Sequence, residues 1–188
     1  AALRQRIDKA IKDNRFAKCA IETALYDAYA KRLGVPLNAL FGGAVHDRIS
    51  VAWTLASGDT QKDIDEAQQM LDTRRHRIFK LKVGMRAPKE DLKHIRAIRG
   101  ALSESASIRI DVNQGWSETE ATQHLRALAD AGVELVEQPI HEKNLAGMQR
   151  LTALGIVPIM ADESLKGVQD GFALASAHCA NVFAIKIE

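Results

Sequence analysis

The chain has 188 residues, 46% of them hydrophobic, and a net charge of +2 from 26 Lys and Arg against 24 Asp and Glu. Nothing in that near balance suggests a nucleic-acid partner. No run reaches the roughly 18 apolar residues of a membrane span and no secretory leader is visible, so a cytoplasmic protein with no membrane or nucleic-acid partner is expected.

Residues 1–45 carry two helical stretches, roughly 3–12 and 16–33, the second stopped by Gly34 and Pro36. Ile21, Ala24, Leu25 and Ala28 share one face of the second helix, which is expected to be buried. Two helices supply little core of their own, so this part is read as an incomplete domain, followed by the tight linker Leu40-Phe41-Gly42-Gly43. From there strands and helices alternate. Strands are expected at 49–55, 78–83, 108–112, 135–137, 157–161 and 182–187, with helices at 62–74, 89–102, 118–131, 146–154 and 168–178. Ser117 with Glu120 reads as a capping box, and Gly132 as a helix stop. Strict alternation predicts an α/β chain with a parallel sheet. The run Arg74-Arg75-His76-Arg77 sits at a helix end, where cations complement the dipole, and Cys19 and Cys179 are too isolated for a CxxC site, so both are expected reduced and buried.

Polar residues recur at the ends of these strands. From Lys82, which is paired with Lys80, the steps to Asp111, Glu137, Asp162 and Lys186 are 29, 26, 25 and 24 residues, the length of one strand, one helix and two loops. In a (β/α)₈ barrel the C-terminal strand ends converge on one mouth, so charges with this period meet there.

Strand alternation sets Lys80 and Lys82 on one face and Phe79, Leu81 and Val83 on the other. The apolar face must meet the helices, which turns the lysines into the barrel. Two ammonium groups this close disfavour each other's charge, and a lowered pKa would let one of them transfer protons near neutral pH. Asp111, Glu137 and Asp162 bring three hard oxygen donors from three consecutive strands, a set suited to Mg²⁺ or Mn²⁺. Asn113 and Glu163, just beyond two of these acids, are expected to support them. Taken alone, the lysines could also mark an exposed edge strand, and any one acid could be a helix cap. The common register of all five positions favours convergence.

An eight-unit barrel typically needs about 250 residues, and only six strands are visible. The chain starts without Met and stops directly after the sixth strand, so it is read as an interior piece of a longer protein. With two open sheet edges, such a piece is expected to aggregate and to be inactive by itself.

The motifs Lys80-Leu81-Lys82, Asp111-Val112-Asn113, Glu137-Gln138-Pro139, Asp162-Glu163-Ser164 and Lys186-Ile187 resemble the enolase superfamily in its muconate lactonizing subgroup, as do residues 52–60 and 75–80. The resemblance implies a partial (β/α)₈-type barrel at 46–188, preceded at 1–45 by the last helices of an α+β cap domain, with the final strands missing. It implies reversible lactonization of cis,cis-muconate to muconolactone, in the catechol branch of the β-ketoadipate pathway, by a homo-oligomer acting on a small dicarboxylate. Mn²⁺ or Mg²⁺ would sit on Asp111, Glu137 and Asp162; a lysine base with a divalent ion is known for sites of this superfamily. Lys82 would carry the proton, Lys80 would tune it, and Lys186 would stabilise the intermediate from the opposite face. Turnover of chlorinated muconates, dipeptide epimerisation and o-succinylbenzoate synthesis use the same frame, and a non-catalytic barrel is the remote alternative.

Overall fold

A computed structural model describes residues 2–186; the expected strand end at Ile187 and the final Glu188 lie outside the described residues. Two compact units separate by contact. One runs to Ile49 and takes in Lys186, and the other is Ser50–Ile185.

In the first unit, α1 (Ala2–Ala10) and α2 (Arg15–Leu33) are followed by a 3-10 turn, Leu37–Phe41. Gly34 ends α2 by taking a left-handed φ of 69° and donating its N–H to the carbonyls of Ala30 and Lys31, as the position of Gly34 in the sequence suggested. Ion pairs Lys18–Asp8 (3.1 Å) and Arg4–Glu22 (3.5 Å) link the helices, but exposed pairs of this kind contribute little. The face expected to be buried is not: Ile21 and Leu25 remain exposed, and Ala30 is the buried residue of α2. Two helices and a turn cannot build the third layer that would cover it.

The second unit meets the α/β expectation. β1 (Ala52–Leu55), β2 (Ile78–Lys82), β3 (Ser107–Asp111), β4 (Val133–Glu137), β5 (Ile159–Ala161) and β6 (Val182–Phe183) form one parallel sheet in chain order. The connecting helices are α3 (Thr60–Asp72), α4 (Pro88–Ala101), α5 (Glu118–Asp130), α6 (Leu145–Ala153) and α7 (Val168–Ser176). Sequential parallel pairing with one helix per crossover is the arrangement of a barrel arc. Phe79, Leu81, Ile108, Ile110, Val136 and Ile159 are fully buried with Ile95, Ile98, Leu125 and Met148 of the helices, so alternate strand residues are left for the other face.

Strand bounds differ from the sequence expectation where pairing fails. β5 starts at Ile159, because Pro158 has no N–H to give the ladder; its carbonyl still accepts from Val136 N–H at 3.0 Å. Ile49 and Val51 are exposed and β1 starts only at Ala52, while β6 is paired for two residues.

Local chemistry holds the segment after β2. The expected capping box forms at Ser117 and Glu120. Gly84 has φ 93°, and a Cβ there would lie 3.0 Å from Val112 Cγ1. At Gly115 a Cβ would come to 2.9 Å from the Val112 carbonyl oxygen. The Gly84 N–H donates to buried Asp91 (2.8 Å), and the Ser57 N–H donates to buried Asp63 (3.1 Å). His94 lies between α3 and α4, with Nδ1 2.8 Å from Thr60 Oγ1 and Nε2 3.4 Å from Asp63 Oδ2. Burial drives the His94 pKa down, against the pull of the Asp63 charge, so the ring is neutral near pH 7. Buried side chains thus anchor both the loop after β1 and the loop after β2.

Ser117→Ala should cost about 1 kcal/mol in urea unfolding. Gly84→Ala should cost more, because alanine there is strained and meets Val112. An unchanged midpoint for Gly84→Ala would mean that the turn relaxes freely.

Candidate functional site

Parallel register aligns the charges at the strand ends. Lys82 pairs with Asp111 across β2 and β3, Asp111 pairs with Glu137 across β3 and β4, and Glu137 pairs with Met160 of β5. Asp162 follows directly after β5. All three acids are buried, Asp111 at 1%, Glu137 at 4% and Asp162 at 7% exposure.

The lysines reach into this row from β2. Lys80 Nζ donates to Asp111 Oδ2 at 3.1 Å and to both Glu137 oxygens at 3.2 Å. Lys82 Nζ donates to the same Asp111 oxygen at 2.7 Å and to Asn113 Oδ1 at 2.6 Å. The Lys82 side chain is 39% exposed against 26% for Lys80, so Lys82 is the one nearer to solvent. Asn113, at φ 45°, gives its N–H to Asp111 Oδ1 (3.0 Å) and its amide to Glu163 Oε1 (3.2 Å). One residue thereby touches Lys82, Asp111 and Glu163.

The electrostatics distinguish the two central acids. Burial raises the pKa of Asp111, but hydrogen bonds from Lys82 and Lys80 and the Lys80 charge outweigh it, and the carboxyl ends below its ordinary value. Glu137 is pushed up to about 7 by burial first and then by the Asp111 charge, with Asp162 adding to the repulsion and only Lys80 opposing it. For Lys80 the sequence expectation is reversed. Burial does lower its pKa, yet the hydrogen bond to Asp111 and the Glu137 and Asp111 charges leave it above the ordinary lysine value. A lysine between two carboxylates keeps its proton; mutual repulsion of the ammonium groups does not decide the matter.

Among the described residues no three His, Cys, Asp or Glu side chains are gathered as tightly as a finished metal centre. The ammonium of Lys80 holds the position between Asp111 and Glu137 instead. The donor set still fits a divalent cation: it is all carboxylate oxygen, and Oε2 of neighbouring Glu163 is buried without a hydrogen-bond partner.

Lys186 is exposed and lies three residues beyond β6, grouped with the first unit; the sixth strand is not paired that far. Two residues to which the sequence reading gave no role belong to the row. Gln138 is fully buried, and Ser164 is 9% exposed, and they hydrogen-bond to each other at 2.9 Å across β4 and β5. A polar residue directly after a candidate ligand was the available signal, but a side-chain bond spanning 26 residues has no periodicity to betray it.

Glu137 also makes the metal-free fold sensitive to pH. Its pKa is raised on folding, so its stabilising protonation is complete below the unfolded value near 4.5 and is lost as pH rises through about 7. Metal-free protein should therefore gain stability from this group between pH 8 and 5, measured by urea unfolding, and Glu137→Gln should remove that gain.

Comparison with known proteins places these residues in a family. Residues 62–188 match the profile described as enolase C-terminal domain-like, and residues 1–42 match the N-terminal domain of mandelate racemase / muconate lactonizing enzyme. The chain is 58% identical to muconate cycloisomerase 1-2 of Acinetobacter lwoffii, over 93% of this chain and 45% of that protein. It is 47% identical to a chloromuconate cycloisomerase of Pseudomonas sp. strain P51, over 96% of this chain and 49% of that protein. The crystal structure of the Pseudomonas fluorescens muconate lactonizing enzyme complexed with muconolactone superposes with a TM-score of 0.96 at 55% identity, covering 99% of this chain and 50% of that one. The chain thus spans about half the length of the curated relatives it matches. With both profiles matched and a barrel arc that superposes on a solved member, the chain belongs to the mandelate racemase / muconate lactonizing enzyme family of the enolase superfamily.

Proposed function

We propose that the complete protein is a muconate cycloisomerase, an enzyme that interconverts cis,cis-muconate and muconolactone in catechol breakdown. The observation that carries this reading is the charge row itself, two lysines that meet at Asp111 Oδ2, with Lys80 bonded on to Glu137, toward the ends of three adjacent parallel strands. Relatives named muconate cycloisomerase, and a related structure holding muconolactone, support the choice of substrate.

Lactonization adds one carboxylate of the diacid across a conjugated double bond, and negative charge moves onto the other carboxylate. A divalent cation, Mn²⁺ or Mg²⁺, on Asp111, Glu137 and Asp162 would supply the positive charge that stabilises this enolate character. Lys82, the more exposed lysine, protonates the carbon next to that carboxylate and removes the proton in reverse. Asn113 and Asp111 fix its ammonium, while Lys80 offsets carboxylate charge from below, and Glu163 steadies Asn113. Lys186 serves the opposite face of the substrate.

In this reading, residues 1–45 are cap-domain helices and 46–188 the first part of the barrel, and the full-length protein is a cytoplasmic homo-oligomer. Among the described residues no helix is long and apolar enough to cross a membrane. Size-exclusion chromatography of the full-length protein tests the assembly. Chloromuconate turnover is the second reading, favoured by the 47% identity to an enzyme of that name. Rates on muconate and chlorinated muconates separate the two.

In the full-length enzyme, Asp162→Asn should weaken Mn²⁺ binding strongly in calorimetry; unchanged affinity would remove Asp162 from the site. Lys82→Ala should abolish solvent deuterium exchange at the substrate α-carbon, with a rate loss of about 10² to 10⁴. Lys80→Ala should retain part of that exchange. Exchange that survives in Lys82→Ala and disappears in Lys186→Ala would hand the proton to the other lysine.

A further inference from the structure

The β4–β5 ladder is short. It pairs Val136 with Ile159 and Glu137 with Met160, and Asp162 lies two residues beyond the last pair. Pairing with β4 therefore sets the height of Glu137 but stops two residues short of Asp162, and pairing with β6 ends at Ala161, so the bonds beyond the ladder matter for Asp162 itself.

Gln138 makes one of them. It is the residue directly after Glu137, it is fully buried, and its φ of 34° is in the left-handed region that costs a non-glycine residue on the order of 1 kcal/mol. Its side-chain amide is saturated. Oε1 accepts from the backbone N–H of Asp162 (3.0 Å) and of Ser164 (3.1 Å), and Nε2 donates to the Ile140 carbonyl (2.9 Å) and to Ser164 Oγ (2.9 Å). Ser164 Oγ passes its own hydrogen to the Glu142 carbonyl at 3.0 Å. The Gln138 backbone is engaged too: its N–H donates to Met160 O at 2.9 Å, and its carbonyl accepts from Gln114 N–H at 2.8 Å. The ends of β3, β4 and β5, which bear Asp111, Glu137 and Asp162, are thus tied to one residue.

Chemistry narrows what can stand there. Two acceptor and two donor positions are all used, and among the side chains only a primary amide offers that set at this reach. Glutamate would leave the Ile140 carbonyl without a donor and bring another negative charge to the end of β4. Methionine has nearly the same shape but would strand the N–H groups of Asp162 and Ser164 in the interior.

We propose that Gln138 is a positioning residue for the metal site: its amide fixes the backbone at Asp162 against the end of β4, which bears Glu137, where both carboxylates would hold a divalent cation. It thereby sets both affinity and the preference between ions of different size. This rests on the reading of Asp111, Glu137 and Asp162 as the metal ligands. Partners of this kind, one shell removed from the ion, typically change metal affinity by about 10- to 100-fold.

The test uses the full-length protein and Mn²⁺ or Mg²⁺ alone, with affinities from calorimetry and the Mn²⁺ site read by electron paramagnetic resonance. Gln138→Met should weaken Mn²⁺ binding by about 10- to 100-fold, change the Mn²⁺ to Mg²⁺ affinity ratio and alter the spectrum of the bound ion. Leu151→Ala, a buried core change on α6, should lower the unfolding midpoint and leave Mn²⁺ affinity and spectrum as they were. Should Gln138→Met not fold, Gln138→Asn, one methylene short of the same bonds, carries the same expectation. A folded Gln138 variant with unaltered affinity and spectrum overturns the proposal, and so does an equal loss in Leu151→Ala, which would make the effect one of general destabilisation. Absence of Mn²⁺ binding in the unmodified protein would instead overturn the metal reading beneath it.

Discussion

Asp111 is a carboxylate with almost no contact with water, and it remains ionised because two ammonium groups share its Oδ2. An isolated ionised carboxylate in such a place would be costly, so the lysines and the acid depend on one another. The balance is uneven one strand further on. Burial first, and then the charges of Asp111 and Asp162, push the Glu137 carboxyl up to about 7 against a share of Lys80. Three carboxyl groups, Asp111, Glu137 and Asp162, thus meet two lysines at these strand ends, and a divalent cation would favour the ionised form of all three.

The rest of the second unit serves to hold these groups in place. Parallel pairing with helical crossovers brings successive strand ends to one edge, and the helix-facing residues Phe79, Leu81, Ile110 and Val136 pack so closely that the strands have little freedom to slide. Beyond the strand ends, irregular backbone takes over. Gly84, Asn113, Gln114 and Gln138 all adopt positive φ, and each lies one to three residues past a strand. The cost of these conformations is met by side-chain bonds such as Asp91 to Gly84 N–H and Asn113 N–H to Asp111, which replace the missing ladder. Strain accumulates where the chemistry would occur, a pattern familiar from functional sites.

The two lysines illustrate how position separates similar residues. They alternate on one strand and share Asp111 Oδ2, yet Lys80 lies between two carboxylates, while Lys82 bonds to one carboxylate and the Asn113 amide and is the more exposed. The more exposed lysine is the one that a substrate entering from solvent would meet first.

Much of this was legible from the order of residues. The period of strand-end charges, the alternation of Lys80 and Lys82 with Phe79 and Leu81, the Ser117–Glu120 cap and the stop at Gly34 all follow from short-range geometry, which sequence determines by itself. Three matters were decided only in the folded state. The start of β5 depends on which backbone groups find partners, the Lys80 pKa depends on carboxylates 31 and 57 residues away, and the Asp162 N–H bonds to an amide 24 residues earlier. Burial and charge act through space, and no local pattern in the chain records which distant groups will share a buried site.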